Sequence, residues 1–248
     1  MQRTTAQLKG FTIRAADGDL GTVEDFYFDD ETWTIRYLTV ETGGWLGGRP
    51  VLISPISIIY ADWQSKRLDV ALTKKQVENS PNIDTHKPVS RQHEVAYVGY
   101  YGYPYYWAGP YEPMEGLAAS GESEDTHLRS TQAVSGYYIE ATDGEIGHVK
   151  GFVVDDETWT IRYMEVTTQN WWPGKKVLVA PAWIQQVSWA QSKVFVQLTR
   201  QSIQTAPEYI ESKPVTREYE NLLYSHYGLP PYWLQTNKHE SSLALSSL

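Results

Sequence analysis

The chain contains two copies of one sequence, and this repeat constrains the fold more than any other feature. Residues 10–107 align without a gap with residues 136–233, at an offset of 126. The nine residues Asp29–Tyr37 recur unchanged as Asp155–Tyr163. Each copy is large enough to bury a hydrophobic core of its own. We therefore expect two domains of the same kind.

The repeat divides the 248 residues into four predicted segments. They are repeat 1 with a helical extension (8–107), a flexible acidic linker (108–133), repeat 2 with a helical extension (134–233) and a disordered tail (234–248). The linker is rich in Gly, Ser, Pro and Glu, a composition that buries too little apolar surface to become ordered.

Short apolar runs separated by turn residues indicate a mainly β fold. In the first copy, strands are predicted at 11–14, 21–28, 33–42, 51–53, 56–61 and 67–72, with 33–42 the longest. Asp17-Gly18 marks a tight turn, and Asp29 to Thr32 a polar turn in which Asp side chains cap the backbone. The number of short strands favours a small barrel or sandwich. We predict two tandem small antiparallel β-barrels, each followed by short α-helices.

A comparison of the copies predicts which side chains face inward. The alternate positions of the last strand are apolar in both copies: Leu68, Val70 and Leu72 correspond to Val194, Val196 and Leu198. Because side chains alternate between the two faces of a strand, these positions should be buried. By the same argument Leu38 and Val40 face inward, whereas Thr39 and its counterpart Glu165 face outward.

Two short helices should follow the strands of each copy. Thr73 and Thr199 are suitable N-caps for the first helix, and Ser90 and Thr216 for the second.

Composition excludes several classes of function. The net charge of −9 argues against direct binding of nucleic acid, which needs Lys and Arg to neutralise phosphates. The absence of cysteine excludes disulfides, thiolate metal sites and a cysteine nucleophile. No secretory leader or transmembrane segment is visible, so we expect a cytoplasmic protein.

No motif predicts a catalytic residue, a cofactor site or a metal site. The acidic runs that begin at Asp29 and Asp155 lack calcium-loop spacing, so solvated hairpin turns are favoured over a metal site. None of the six histidines has the spacing of a zinc site, and we expect incidental surface histidines. The glycine-rich loop Gly43–Gly48 lacks the ending of a phosphate loop. We therefore expect a protein that is not an enzyme.

Aromatic residues are the candidates for an interaction site, since 18 Tyr and 10 Trp give the chain many half-polar rings. Both copies end in an aromatic signature that lacks basic residues. A packing role on its own barrel, on the sister copy or on a second chain is favoured over an external ligand. The loop tryptophans either anchor a partner or cap the barrel. The candidate residues are Trp45, Trp171, Trp172, Tyr101, Tyr103, Tyr105, Tyr106, Trp107, Tyr227, Tyr232 and Trp233.

The sequence resembles the PRC-barrel domain family. The resemblance rests on the pattern Asp17-Gly18-x-Leu20-Gly21-x-Val23-x-Asp25-Phe26, followed by Trp33-x-Ile35-Arg36-Tyr37-Leu38-x-Val40, Val51-Leu52-Ile53-x-Pro55 and Leu68-x-Val70. The same pattern recurs from Asp143 to Thr199. The extension with its Tyr-Tyr-Gly-x-Pro signature resembles the stand-alone bacterial branch of this family.

The resemblance implies a non-enzymatic protein-interaction or assembly module with a protein partner or a homo-oligomeric state. Two alternatives follow from known members that share this barrel. One is an accessory protein of a photosynthetic reaction centre, like its H subunit, or of another membrane electron-transfer complex. The other is a ribosome or RNA-processing adaptor, like the 16S rRNA maturation factor.

Overall fold

The structure, a computed structural model, describes residues 1–82, 89, 91–107, 127–168 and 175–234. The chain forms two compact units. The first comprises Met1, Arg3–Ser135 and Gly151–Tyr163, and the second Gln2, Gly136–Lys150 and Met164–Leu248. The first unit therefore includes a segment of the second copy.

The described residues form short strands and helices. The strands are β1 (Gln2–Thr4), β2 (Thr12–Ala15), β3 (Gly18–Asp29), β4 (Thr34–Glu41), β5 (Val51–Ile53), β6 (Ile58–Asp62), β7 (Arg67–Val70), β8 (Leu128–Ser130), β9 (Tyr138–Ala141), β10 (Gly144–Asp155), β11 (Ile161–Thr167), β12 (Lys176–Val179), β13 (Ile184–Ser188) and β14 (Lys193–Val196). The helices are α1 (Thr5–Leu8), α2 (Lys74–Glu78), α3 (Arg91–Tyr101), α4 (Thr131–Val134), α5 (Arg200–Thr205) and α6 (Arg217–Tyr227). Single 3₁₀ turns lie at Gly43–Leu46, Pro55–Ser57 and Pro181–Trp183.

The strands form two seven-stranded sheets of the same design, which confirms the mainly β prediction. The first has the order β5-β4-β3-β2-β7-β6, and β8 also pairs with β3. The second has the order β12-β11-β10-β9-β14-β13, and β1 also pairs with β10. Pairing is mainly antiparallel, but β2 with β7 and β9 with β14 are parallel. These two pairs join strands that are far apart in the chain, so no hairpin dictates their direction.

The first copy's hairpins follow the predicted turn chemistry. Asp29 Oδ1 accepts hydrogen bonds from the backbone N–H groups of Glu31 and Thr32, at 3.0 and 2.9 Å, which confirms the polar turn. The prediction that 33–42 is the longest strand was wrong, because β3 is longer than β4. Trp33 has φ 53° and lies outside the strand, since left-handed backbone cannot continue a β ladder.

The core contains the side chains that the repeat predicted. Leu68, Val70 and Leu72 are buried, as are their counterparts in the second unit. The prediction of outward-facing Thr39 and Glu165 was wrong, because both are buried. Glu165 is compensated by Lys176, whose Nζ lies 3.1 Å from Glu165 Oε1, so a charged residue is buried between the apolar positions Met164 and Val166.

Hydroxyl N-caps begin the helices. The side chain of Thr73 accepts a hydrogen bond from Gln76 N, that of Thr199 from Ser202 N and that of Thr216 from Tyr219 N. These contacts confirm the caps that the sequence predicted. The predicted cap Ser90 lies outside the described residues.

The strands β1 and β8 were not predicted, although they occupy corresponding positions before the two copies. Of the predicted linker 108–133, the structure describes 127–133, which contain β8 and part of α4. This segment is fixed by the buried Asp25, whose Oδ1 accepts hydrogen bonds from Thr131 Oγ1 at 2.6 Å and Gln132 N at 3.1 Å. The predicted boundaries of the domains remain a prediction.

Among the residues that the structure describes, no helix is long and apolar enough to cross a membrane.

Candidate functional site

Two equivalent turns, one from each copy, meet within the first unit. Ile35 N donates to Trp159 O at 2.8 Å, and Ile161 N donates to Trp33 O at 2.7 Å. Between these bonds lies an antiparallel bridge of Thr34 with Thr160. Each of these contacts links a residue of one copy to the other in a reciprocal way, which is the pattern of an isologous interface.

Each of the two turns also forms an ion pair, and the two ion pairs involve equivalent residues. Arg129 Nε lies 2.8 Å from Asp30 Oδ2, and Arg3 Nε lies 2.8 Å from Asp156 Oδ2. Burial raises the pKa of Asp30, although the hydrogen bond from Arg129 opposes this effect. The acidic runs are thus hairpin turns, as predicted. They are not simply solvated, because Asp29 is buried and Asp30 and Asp156 are ion-paired.

The first aromatic signature packs on the first unit itself. Tyr101 stacks on Tyr103 at 5.4 Å with an interplanar angle of 10°, and its ring also contacts Tyr97 at 4.8 Å. Tyr101, Tyr103, Tyr105 and Trp107 cover a buried cluster of Tyr27, Tyr37, Leu52, Val89, Tyr97, Val98 and Leu128. Burial raises the pKa of Tyr101 to about 12.

A buried carboxylate connects this signature to the sheet. Glu94 on α3 is 0% exposed, and its Oε1 accepts hydrogen bonds from Tyr37 OH at 3.0 Å and from Tyr106 OH at 2.7 Å. Its Oε2 lies 2.7 Å from His127 Nε2. Burial, followed by the nearby carboxylate of Glu94, raises the pKa of Tyr37 far above its ordinary value. The cluster ties α3, β4, the signature and the start of β8 together.

The expectation of surface histidines was wrong for His127, which is 5% exposed. His127 and its equivalent Met1 both precede the aligned copies, so the comparison of copies gave no indication of a buried polar role. Glu94 was also missed. A signal was present, because the charged residues Glu94 and Glu220 coincide in the two copies.

The second unit contains a related arrangement. Tyr232 OH donates to Glu220 Oε1 at 3.1 Å, and Gln2 Nε2 donates to the same oxygen at 2.6 Å. Arg217 Nη1 lies 3.0 Å from Glu220 Oε2, and its guanidinium lies 3.9 Å from the centre of the Trp233 ring.

Tyr227 of the second signature and the loop residue Trp45 are two further predicted candidates, and each makes its own contacts. Tyr227 packs on Trp183, with ring centres 4.7 Å apart. Trp45 is half-buried and donates from Nε1 to Leu20 O at 2.6 Å, a contact that supports the capping alternative. Trp171 and Trp172 lie outside the described residues. A partner-binding role of the aromatic candidates remains a prediction.

An open groove of about 400 Å³ lies in the first unit beside the signature. It is lined by Ile35 and Tyr37 of β4 and by the aromatic residues Tyr103 and Tyr106. The acidic turn that contains Thr158 also lines it. Its other lining residues are Thr34, Arg36, Ser54, Pro55, Ile56, Ile58, Val98, Pro104, Asp156, Glu157 and Trp159. The groove combines apolar surface with a few polar groups, as binding sites commonly do.

Within the described parts of the chain, no group of three or more His, Asp or Glu side chains is arranged to hold a metal ion.

Comparison with known proteins gives a family match for the N-terminal part of the chain. Residues 2–76 match the family model of the PRC-barrel domain, a range that runs from β1 into α2. No curated protein matches the chain.

Proposed function

We propose that the chain is a non-enzymatic protein-interaction module built from two PRC-barrel domains, of which the first contains the residues 2–76 that match the family model. The second domain is supported by the repeat and by the identical order of strands in the two sheets. We place the module in the cytoplasm, bound to a protein partner and not to nucleic acid.

The groove of the first unit is the observation that carries this proposal. It is open, mainly apolar, and lined by aromatic side chains, of which Tyr37 and Tyr106 donate hydrogen bonds to the buried Glu94. A preorganised aromatic surface loses little conformational entropy on binding, so it suits a protein partner. We infer that a segment of the partner lies between Tyr103 and the Thr158 turn.

The test is a binding measurement with a partner purified from the source cells. Thr158 is exposed and lines the groove, so Thr158→Arg should fill part of the space and weaken binding at least about tenfold. The control Gln64→Arg adds the same charge at an exposed turn outside the groove and should bind like the unchanged protein. Equal affinity of the two variants would remove the groove from the proposal.

The identity of that partner distinguishes between the two alternative functions that the family resemblance implies. A ribosomal protein would favour the adaptor function, and a subunit of a membrane complex would favour the accessory function. Turnover of a small molecule by the purified chain would contradict the non-enzymatic proposal.

A further inference from the structure

The segment 207–216, which follows α5 and leads to α6, lies against the edge of the second sheet. Strand β12 is at one end of the strand order and, among the described strands, pairs only with β11. An edge strand presents unpaired backbone groups on its outer side, and a loop often covers them. Tyr209 N donates to Lys176 O at 2.8 Å, so the segment covers the beginning of β12. We call the segment 207–216 the edge cover.

Few contacts hold the edge cover on the sheet. Tyr209 is the only buried residue among 207–216. Within the described part of the chain, the bond from Tyr209 N to Lys176 O is also the only backbone hydrogen bond between this segment and a strand. Segments with little buried surface and few hydrogen bonds open locally, without unfolding of the whole protein. We therefore expect the edge cover to open more readily than the sheet beneath it.

Four charged side chains tie the edge cover to the sheet. Glu211 of the cover contacts Lys176 of β12 and Lys150 of β10, with 3.4 Å between Glu211 Oε2 and Lys150 Nζ. Beneath them, Oε1 of the buried Glu165 on β11 lies 3.1 Å from Lys176 Nζ and 3.7 Å from Lys150 Nζ. Two positive charges therefore balance two negative ones, and Glu211 is the member that belongs to the cover.

The contacts of Glu211 are sensitive to pH and to salt. The hydrogen bond from Lys176 lowers the pKa of Glu211 and outweighs the opposing effect of burial. A carboxyl with a lowered pKa stabilises the folded structure above its unfolded pKa, and this contribution disappears as the pH falls through the folded pKa. The Glu211 side chain is 42% exposed, so dissolved salt also screens its ion pairs. Burial, followed by the charges of Glu165 and Glu211, raises the pKa of the adjacent Tyr209 to about 12, so this tyrosine stays uncharged.

The charged cluster belongs to the second copy alone. At the equivalent positions the first copy has Glu24, Thr39, Pro50 and Thr85. Pro50 directly precedes β5, the equivalent edge strand, and proline is a common residue at protected sheet edges. Tyr97 OH donates to Leu52 O of the same strand at 2.9 Å. The first sheet thus protects this edge without a cluster of ion pairs, so the fold itself does not require the cluster.

We propose that the ion pairs of Glu211 hold the edge cover closed, and that the cover opens when these pairs weaken and then exposes the backbone of β12. All residues that line the groove of the proposed function belong to the first unit. The edge cover belongs to the second unit, so the two proposals can fail separately.

Hydrogen exchange at the backbone amide of Tyr209 tests the proposal, because its bond to Lys176 O exists only while the cover is closed. In the unchanged protein this amide should be less protected than the paired amides of β11. Glu211→Gln should lower its protection at least about threefold, since the side chain loses its charge. The control Glu208→Gln removes a charge from an exposed position of the same segment and should leave the protection unchanged.

Two results of this measurement would overturn the proposal. Protection of Tyr209 equal to that of β11 in the unchanged protein would mean that the cover opens only when the unit unfolds. Equal protection of Tyr209 in Glu211→Gln and Glu208→Gln would mean that the ion pairs do not hold the cover.

Salt provides a second measurement on the same three proteins. Salt at about 1 M should lower the protection of Tyr209 in the unchanged protein and in Glu208→Gln, and should have little effect in Glu211→Gln. Acidification below pH 4.5, the ordinary value for this carboxyl, should act in the same direction as salt. A salt effect of the same size in all three proteins would contradict control by Glu211.

Discussion

Glu94 is a single residue on which several parts of the first unit depend. It accepts hydrogen bonds from Tyr37 and Tyr106 and contacts His127. We expect Glu94→Ala to lower the free energy of unfolding by about 3 kcal/mol, because buried polar groups would lose their acceptor. Urea denaturation measures this change.

A matched substitution controls for the loss of a glutamate from a helix. Glu78 is exposed on α2, and Glu78→Ala should change the free energy of unfolding by less than about 0.5 kcal/mol. If Glu94→Ala is as mild as Glu78→Ala, the buried cluster does not stabilise the unit.

The pKa of Asp155 predicts how the stability of the first unit depends on pH. Burial would raise its pKa, but hydrogen bonds from the backbone N–H groups of Thr158 and Glu157, together with Arg162, outweigh burial and lower the pKa. A carboxyl with a lowered pKa contributes stability above its unfolded pKa, and the contribution disappears as pH falls through the folded pKa. Asp155→Asn should therefore be less stable than the unchanged protein at pH 7, by under about 1 kcal/mol because the group is partly exposed.

Urea midpoints at neutral and acidic pH check the sign of this effect. The difference between the unchanged protein and Asp155→Asn should shrink as the pH falls below 3.8, the ordinary value for this carboxyl. A difference that stays constant would mean that the charge of Asp155 has no role.

Sequence reasoning located the aromatic signature but not the residue that holds it. Tyr101 and Tyr106 were visible from composition and repetition. Glu94 was missed although Glu220 occupies the equivalent position, because a glutamate in a helix is usually solvated. Its burial follows from where α3 lies against β4, which is a long-range feature that local sequence does not contain.

At the level of elements, hairpins and helix caps could be predicted because their chemistry is local. The Asp29 turn and the caps Thr73, Thr199 and Thr216 depend on residues within a few positions. The strands β1 and β8 have only three residues each, too few for an alternation pattern. Their pairing partners are far away in the chain, so tertiary contacts decide that they are strands.

The approach of β3 to β4 depends on a glycine. A Cβ at Gly21 would lie 1.9 Å from Glu41 O, and the φ of 152° disfavours any other residue. We expect Gly21→Ala to lower the free energy of unfolding by about 3 kcal/mol. Gly44→Ala is the control, since a Cβ there meets nothing within 4 Å, and its unfolding midpoint should hardly change. Thermal or urea unfolding of both variants decides the point.

At the scale of the whole molecule, the two compact units do not coincide with the two copies of the repeat. The first unit contains most of the first copy and the segment Gly151–Tyr163 of the second. Within this unit, β8 pairs with β3, and Trp33 and Trp159 accept reciprocal hydrogen bonds. The repeat in the sequence indicated duplication, but it did not indicate that residues of both copies complete one unit.

Because the first unit contains residues of both copies, we can predict how the chain behaves after cleavage between them. Cleavage at a protease site introduced within residues 108–126 would divide the chain before β8. Residues of both fragments belong to the first unit, because β8 pairs with β3. We expect the fragments to elute together on gel filtration in native buffer and to separate in urea. Leu128→Asp, which places a charge at a fully buried position of β8, should weaken the association. Separate elution of the cut but otherwise unchanged fragments in native buffer would mean that the contacts between β3, β8 and the two turns are too weak to hold the unit together.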